Sequence, residues 1–186
     1  MSATPPGKRP RYTLAVKTLL RSAVLLLVTL WLGGVMFFPV VAAVSFGSLP
    51  DAHAAGTVAR LCLLALHKEG LVAGCALLVL LLPAGAVGAY GSRGVRAVAG
   101  PLAVTLVMLL LTAFSQFSII PRMERLRLGV GGDMAAVAGT DPARQEFDRL
   151  HRASVIVEEG VLVAGLILIV LLAREPRLKV RRSGEA

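Results

Sequence analysis

Charge is what this sequence is shortest of. Lys, Arg, Asp and Glu together make 17% of its 186 residues, while 56% are hydrophobic. An ordinary soluble domain carries about 25% charged residues. The mean hydropathy of +0.76 points the same way. This balance argues against a soluble globular domain and against disorder. Cysteine is nearly absent. Cys62 and Cys75 make neither a disulfide framework nor a metal motif. No Cys-x-x-Cys, His-Glu-x-x-His or phosphate-loop spacing occurs, and there are only three histidines. Acids are scarce as well: 11 against 20 bases gives a net charge of +9. In a soluble chain that excess would point to nucleic acid. Here the bases flank long apolar runs and read as membrane topology signals, so no nucleic-acid partner is expected.

What the sequence does contain is four such runs. Residues 22–50 carry no charge, nor do 70–92 or 97–121, and 153–173 is interrupted only by Glu158 and Glu159. A helix needs about 20 residues to cross about 30 Å of hydrocarbon. The expected fold is therefore all-α, an integral membrane four-helix bundle with spans at about 22–46, 63–88, 97–120 and 153–173. Basic segments 1–21 and 174–186 flank it. The first run resembles a signal peptide in its basic leader and in Ala52-His53-Ala54, but it is about twice the usual 7–15-residue apolar core and reads as a retained helix. The stretch 54–66 is expected either to begin the second helix or to form an interfacial helix. The Gly-rich segment 83–93 is expected as a loop. Thr140-Asp141-Pro142 has the form of a helix start, with a capping side chain before a proline at the first helical position.

Placing the N-terminus inside gives twelve bases to the cytoplasmic segments and eight to the outer ones. The bias predicts both termini cytoplasmic, in a multi-pass cell-membrane protein such as one of a bacterial inner membrane. The terminal basic segments would then lie against anionic lipid headgroups.

Counting back about 20 residues from the cytoplasmic ends puts His67, Lys68 and Glu69 of the second helix at the depth of Glu158 and Glu159 of the fourth. Ser115, Ser118, Arg122 and Arg125 approach the same boundary on the third. Their 3-4-3 spacing places them on one helical face. His151 and Arg152 open the fourth span. These eleven residues form a candidate polar cluster, structural or partner-binding. Ionisable groups within spans are costly and face the bundle or water. At least one of Glu158 and Glu159 is expected to find a base, with Arg122, Lys68 and His67 as candidates. The plainer readings are snorkelling for the arginines after Pro121, and helix–helix hydrogen bonding for the serines. Gly70-x-x-x-Gly74 is a close-packing signature, and Trp31 lies too deep for an interfacial belt.

Trp31-Leu32-Gly33-Gly34-Val35-Met36-Phe37-Phe38 resembles the opening helix of the transmembrane-protein-205-like domain family. Ser115-Gln116-Phe117 with Pro121-Arg122-Met123-Glu124 resembles its third-helix end. Phe147, Leu150-His151-Arg152 and Ser154 resemble the start of its fourth helix. The resemblance covers about residues 22–173 and implies a four-helix membrane protein, often bacterial, without an established reaction. More distantly the architecture resembles copper-resistance-D-like membrane proteins and their haem-associated relatives. Three functions follow as alternatives: a non-enzymatic membrane protein, a proton- or cation-coupled component using Glu158 or Glu159, and a haem or copper protein using His67 and His151. The lipid bilayer is the expected environment. A homo-oligomer would be needed for transport by so few helices. No resident metal or cofactor is expected.

Overall fold

A computed structural model describes residues 14–174. They form four long helices: α1 (Leu14–Ser48), α2 (Ala52–Val87), α3 (Ala99–Gly129) and α4 (Pro142–Ala173). No strand occurs among the described residues. Each helix is long and apolar enough to cross a membrane. At about 1.5 Å per residue, each also reaches beyond the hydrocarbon layer. The helices therefore overrun the apolar segments that mark the spans. The sequence 54–66 belongs to α2 without a break. The expected loop at 83–93 begins later, because α2 continues through Pro83 to Val87. Residues 14–21 of the expected N-terminal tail lie on α1 and Arg174 follows the end of α4, while residues 1–13 and 175–186 fall outside the described residues. Backbone hydrogen bonding does not stop where charge begins, so apolar runs underestimate helix length.

Local chemistry sets the ends. The Asp51 carboxylate accepts a hydrogen bond from the Ala54 amide at 2.6 Å and caps α2. Gly88, with φ of 71°, closes α2 in the left-handed region. The chain then doubles back so that the Gly94 amide donates to the Gly85 carbonyl at 3.0 Å. Asp141 caps α4 by accepting from the Ala143 amide at 2.7 Å, with Pro142 in the first turn. Inside α3 the turn Ser115–Ile119 is a π-helix, and the Ile120 amide reaches back five residues to the Ser115 carbonyl. Pro121 follows directly. It has no amide hydrogen to donate and its ring crowds the carbonyl four residues earlier, which favours a widened turn just before it.

The helices form a ring in chain order, α1 against α2, α2 against α3, α3 against α4, with α4 closing on α1. The α1–α2 turn and the α3–α4 link share one end, called the upper end below. The start of α1, the α2–α3 link and the end of α4 share the lower end. There Arg21 lies over the Tyr90 ring, 5.7 Å from its centroid. Burial pushes the Tyr90 phenol up from its ordinary value, and the Arg21 charge pulls it partly back.

The core is a single stripe from each helix: Val24, Val28, Trp31 and Val35 of α1 meet Leu77 and Leu81 of α2, Met108 of α3, and Val161 and Leu168 of α4. Large apolar side chains also cover the outside, among them Phe37, Val72, Leu110, Phe117 and Val170. A surface of this kind belongs in lipid. Lipid supplies no hydrophobic drive between helices, so contact quality holds them together. Trp31, 1% exposed, lies across Gly70 and Gly74 of α2. A Cβ at Gly70 would overlap the indole Nε1 and stand 2.9 Å from Cε2. Gly165 of α4 receives Leu32 in the same way, at 2.6 Å from Cδ1.

Gly70→Ala is expected to lower stability by about 1–3 kcal/mol through overpacking. The double variant Gly70→Ala/Trp31→Leu should recover part of the loss specific to the clash. Gly33→Ala, with open space around the position, should leave the melting temperature in detergent unchanged.

Candidate functional site

One hydrogen-bonded centre crosses the bundle interior. His67, in the middle of α2, is 1% exposed. Its Nε2 lies 2.6 Å from Glu158 Oε1 on α4, and its Nδ1 lies 3.0 Å from Gln116 Oε1 on α3. Helices α2 and α4 stand diagonally in the ring, so this imidazole connects two helices that are not backbone neighbours. Gln116 sits within the π turn, which re-phases α3 and brings its amide to the ring. Glu158 is sixteen residues before Arg174, about 24 Å along the helix and within the hydrocarbon thickness.

The two ring nitrogens face two acceptor oxygens as placed, which suits the doubly protonated imidazolium, donating both protons. Rotation of the Gln116 amide would present its NH2 group to Nδ1 instead. The neutral ring then donates from Nε2 to Glu158 and accepts at Nδ1. One amide rotation thus satisfies both protonation states of His67.

The other expected residues divide by position. Ser115 is buried, and Ser118 is half-buried. Arg122 and Arg125 are exposed. The expectation of one shared face for these four is corrected by the π turn, which takes an extra residue and offsets the register beyond it. Lys68 and Glu69 are exposed on α2, with Glu69 near Gly34 of α1. His151, Arg152 and Glu159 are exposed on α4. Of the adjacent acids, Glu158 turns inward and Glu159 outward. Of the bases named as partners for them, His67 is the one joined to Glu158. Ser154 is buried and donates to the His151 carbonyl at 2.8 Å. Both His67 nitrogens are engaged within the centre, whereas His151 is exposed.

Sequence reasoning misses Gln116 and Arg127. Gln116 is visible as the single amide in an apolar run. Arg127 carries no signal of its own, yet it organises the upper end. It donates to Glu124 from Nε at 3.0 Å and from Nη2 at 2.7 Å, a bidentate pair that Arg60 of α2 approaches at 3.8 Å. Its Nη1 donates to the Gly132 carbonyl at 3.1 Å. Arg144 of α4 donates to the Met134 carbonyl at 2.8 Å and pairs with Asp148. The α3–α4 link is thereby tied at both ends. On the lower side of the centre, Thr105, Thr112 and Ser115 of α3 carry buried hydroxyls without a partner among the described residues.

Glu158→Gln keeps the shape but removes the charge-assisted bond. It is expected to destabilise the bundle by about 1–3 kcal/mol, read as a lower melting temperature in detergent. Glu159→Gln, at an exposed position, should melt like the wild type. Equal behaviour of the two variants would contradict the inward placement of Glu158.

Comparison with known families names no reaction. No curated protein and no solved structure matches the chain. A family model described as a domain of unknown function, DUF4149, matches residues 26–129. The matched segment includes Trp31, His67, the Gly70 and Gly74 seat and Gln116, and it ends before α4 and Glu158. The match covers more than half of the sequence, and the chain belongs to the DUF4149 family.

Proposed function

We propose that this multi-pass membrane protein is non-enzymatic, and that its His67–Gln116–Glu158 centre is a structural lock holding α2, α3 and α4 in one register. The observation that carries this reading is the 2.6 Å bond between a histidine 1% exposed and a carboxylate on the diagonal helix. Polar groups in hydrocarbon lack water as an alternative partner, so a satisfied polar contact favours one arrangement of helices over its neighbours. The polar residues above the lock remain exposed and form the surface where a small partner would bind. The likeness of its third- and fourth-helix motifs to the transmembrane-protein-205-like family is part of this reading, and a homo-oligomer is compatible with it.

The proposed orientation puts both termini in the cytoplasm, in a membrane such as the bacterial inner membrane. It rests on the twelve-to-eight distribution of bases. A reporter fused after Ala186 is expected to be active only if it is a cytoplasmic reporter. Activity of a periplasmic reporter there would reverse the assignment.

A second reading, proton transfer through the centre, is favoured by one specific feature. His67 can be satisfied in either protonation state, and unpartnered hydroxyls lie on the α3 face leading towards it. Proton flux into liposomes separates the two. On the structural reading, liposomes carrying the wild type and Glu158→Gln leak protons no faster than empty ones. Flux by the wild type that Glu158→Gln abolishes, with the variant still folded, would establish the second reading instead.

A further inference from the structure

We propose that the groove between the upper ends of α3 and α4 binds one anionic phospholipid, with its phosphate held by Arg122 and Arg125. The groove is about 530 Å³, within the range of small-molecule sites. Leu126, Val130 and Leu150 supply an apolar floor, and Arg122 and Arg125 stand at its rim. Three residues apart, the two guanidinium groups lie on one face of α3, one turn from each other.

Their charge is uncommitted. At this same end Arg127 and Arg60 share Glu124, Arg144 has Asp148, and Arg149 has Glu146. Arg122 and Arg125 have no hydrogen bond or ion pair among the described residues. The one carboxylate lining the groove, Glu146, already accepts from Arg149 at 2.7 Å. Two unpaired guanidinium groups facing an open groove suit a phosphate, which accepts paired N–H donors.

Depth selects a lipid over a soluble anion. Arg122 is twenty-three residues from Ala99 at the lower end of α3, and Leu150 is twenty-four from Arg174 at the lower end of α4. At about 1.5 Å per residue both stand about 35 Å above the lower boundary, just past the about 30 Å of hydrocarbon and at headgroup level. Below that level the same two helices expose Phe114, Phe117, Ile156 and Val163, surface against which an acyl chain can lie.

The test is native mass spectrometry of the full chain in detergent, titrated with phosphatidylglycerol and with phosphatidylcholine. The wild type is expected to retain phosphatidylglycerol about tenfold better. The double variant Arg122→Gln/Arg125→Gln should lose that preference. Lys68→Gln/Arg152→Gln removes the same charge from exposed bases of α2 and α4 that do not line the groove, and it should keep the preference. No preference in the wild type would overturn the proposal, and so would equal losses in the two double variants, which mean diffuse attraction. Inorganic phosphate competing as well as the lipid would also overturn it, because the apolar floor would then contribute nothing.

Discussion

Within hydrocarbon a polar side chain has no water to fall back on, and the arrangement of this bundle depends on how that constraint is met at His67. The ring is almost fully enclosed, and both of its nitrogens are engaged. Each partner comes from a different helix, and one lies across the diagonal. Sliding α4 by one residue, or rotating α3, would leave a buried carboxylate or imidazole without its partner. Loss of one member of such a pair costs several times what an exposed pair contributes. A single side chain therefore limits three helices at once.

Apolar packing carries out the rest, by a mechanism suited to lipid. Leu or Val gains little by leaving acyl chains for another helix, so attraction between helices depends on fit. Glycine at 70, 74 and 165 lets Trp31 and Leu32 of α1 approach the neighbouring helices closely. In the proposed reading the polar centre specifies register, while the glycine seats provide close contact. Both lie in the interior, whereas the lipid-facing surface is generic apolar cover.

The upper end is built differently, from ion pairs and carbonyl contacts. There the arginines divide into paired and unpaired sets. The paired ones, Arg127 and Arg144, fasten the α3–α4 link by donating to the carbonyls of Gly132 and Met134. Arg122 and Arg125, without a hydrogen bond or ion pair among the described residues, line the groove.

Much of this architecture is legible in the amino-acid sequence. Four uncharged runs of sufficient length establish four apolar helices, because hydrocarbon thickness and helical rise are fixed quantities. The same rise places His67 and Glu158 at one depth, so their meeting is legible as a candidate pairing. Asp141-Pro142 announces the start of α4, and Gly70-x-x-x-Gly74 announces a close approach. What the runs cannot state is rotation. Glu158 and Glu159 differ by about 100° around α4, and which of them faces inward is set by the helices packed against it. A spacing of 3-4-3 assumes a uniform α-helix, so it misplaces Arg122 and Arg125 once a π turn intervenes. Gln116 meets His67 from within that turn. Span number and depth are therefore properties of the sequence, since each depends on one helix and the bilayer, whereas full helix length is not, because backbone hydrogen bonding runs on past the apolar segments. The facing side chains, the diagonal bond and the groove are decisions of tertiary structure, since each depends on the relative rotation of several helices.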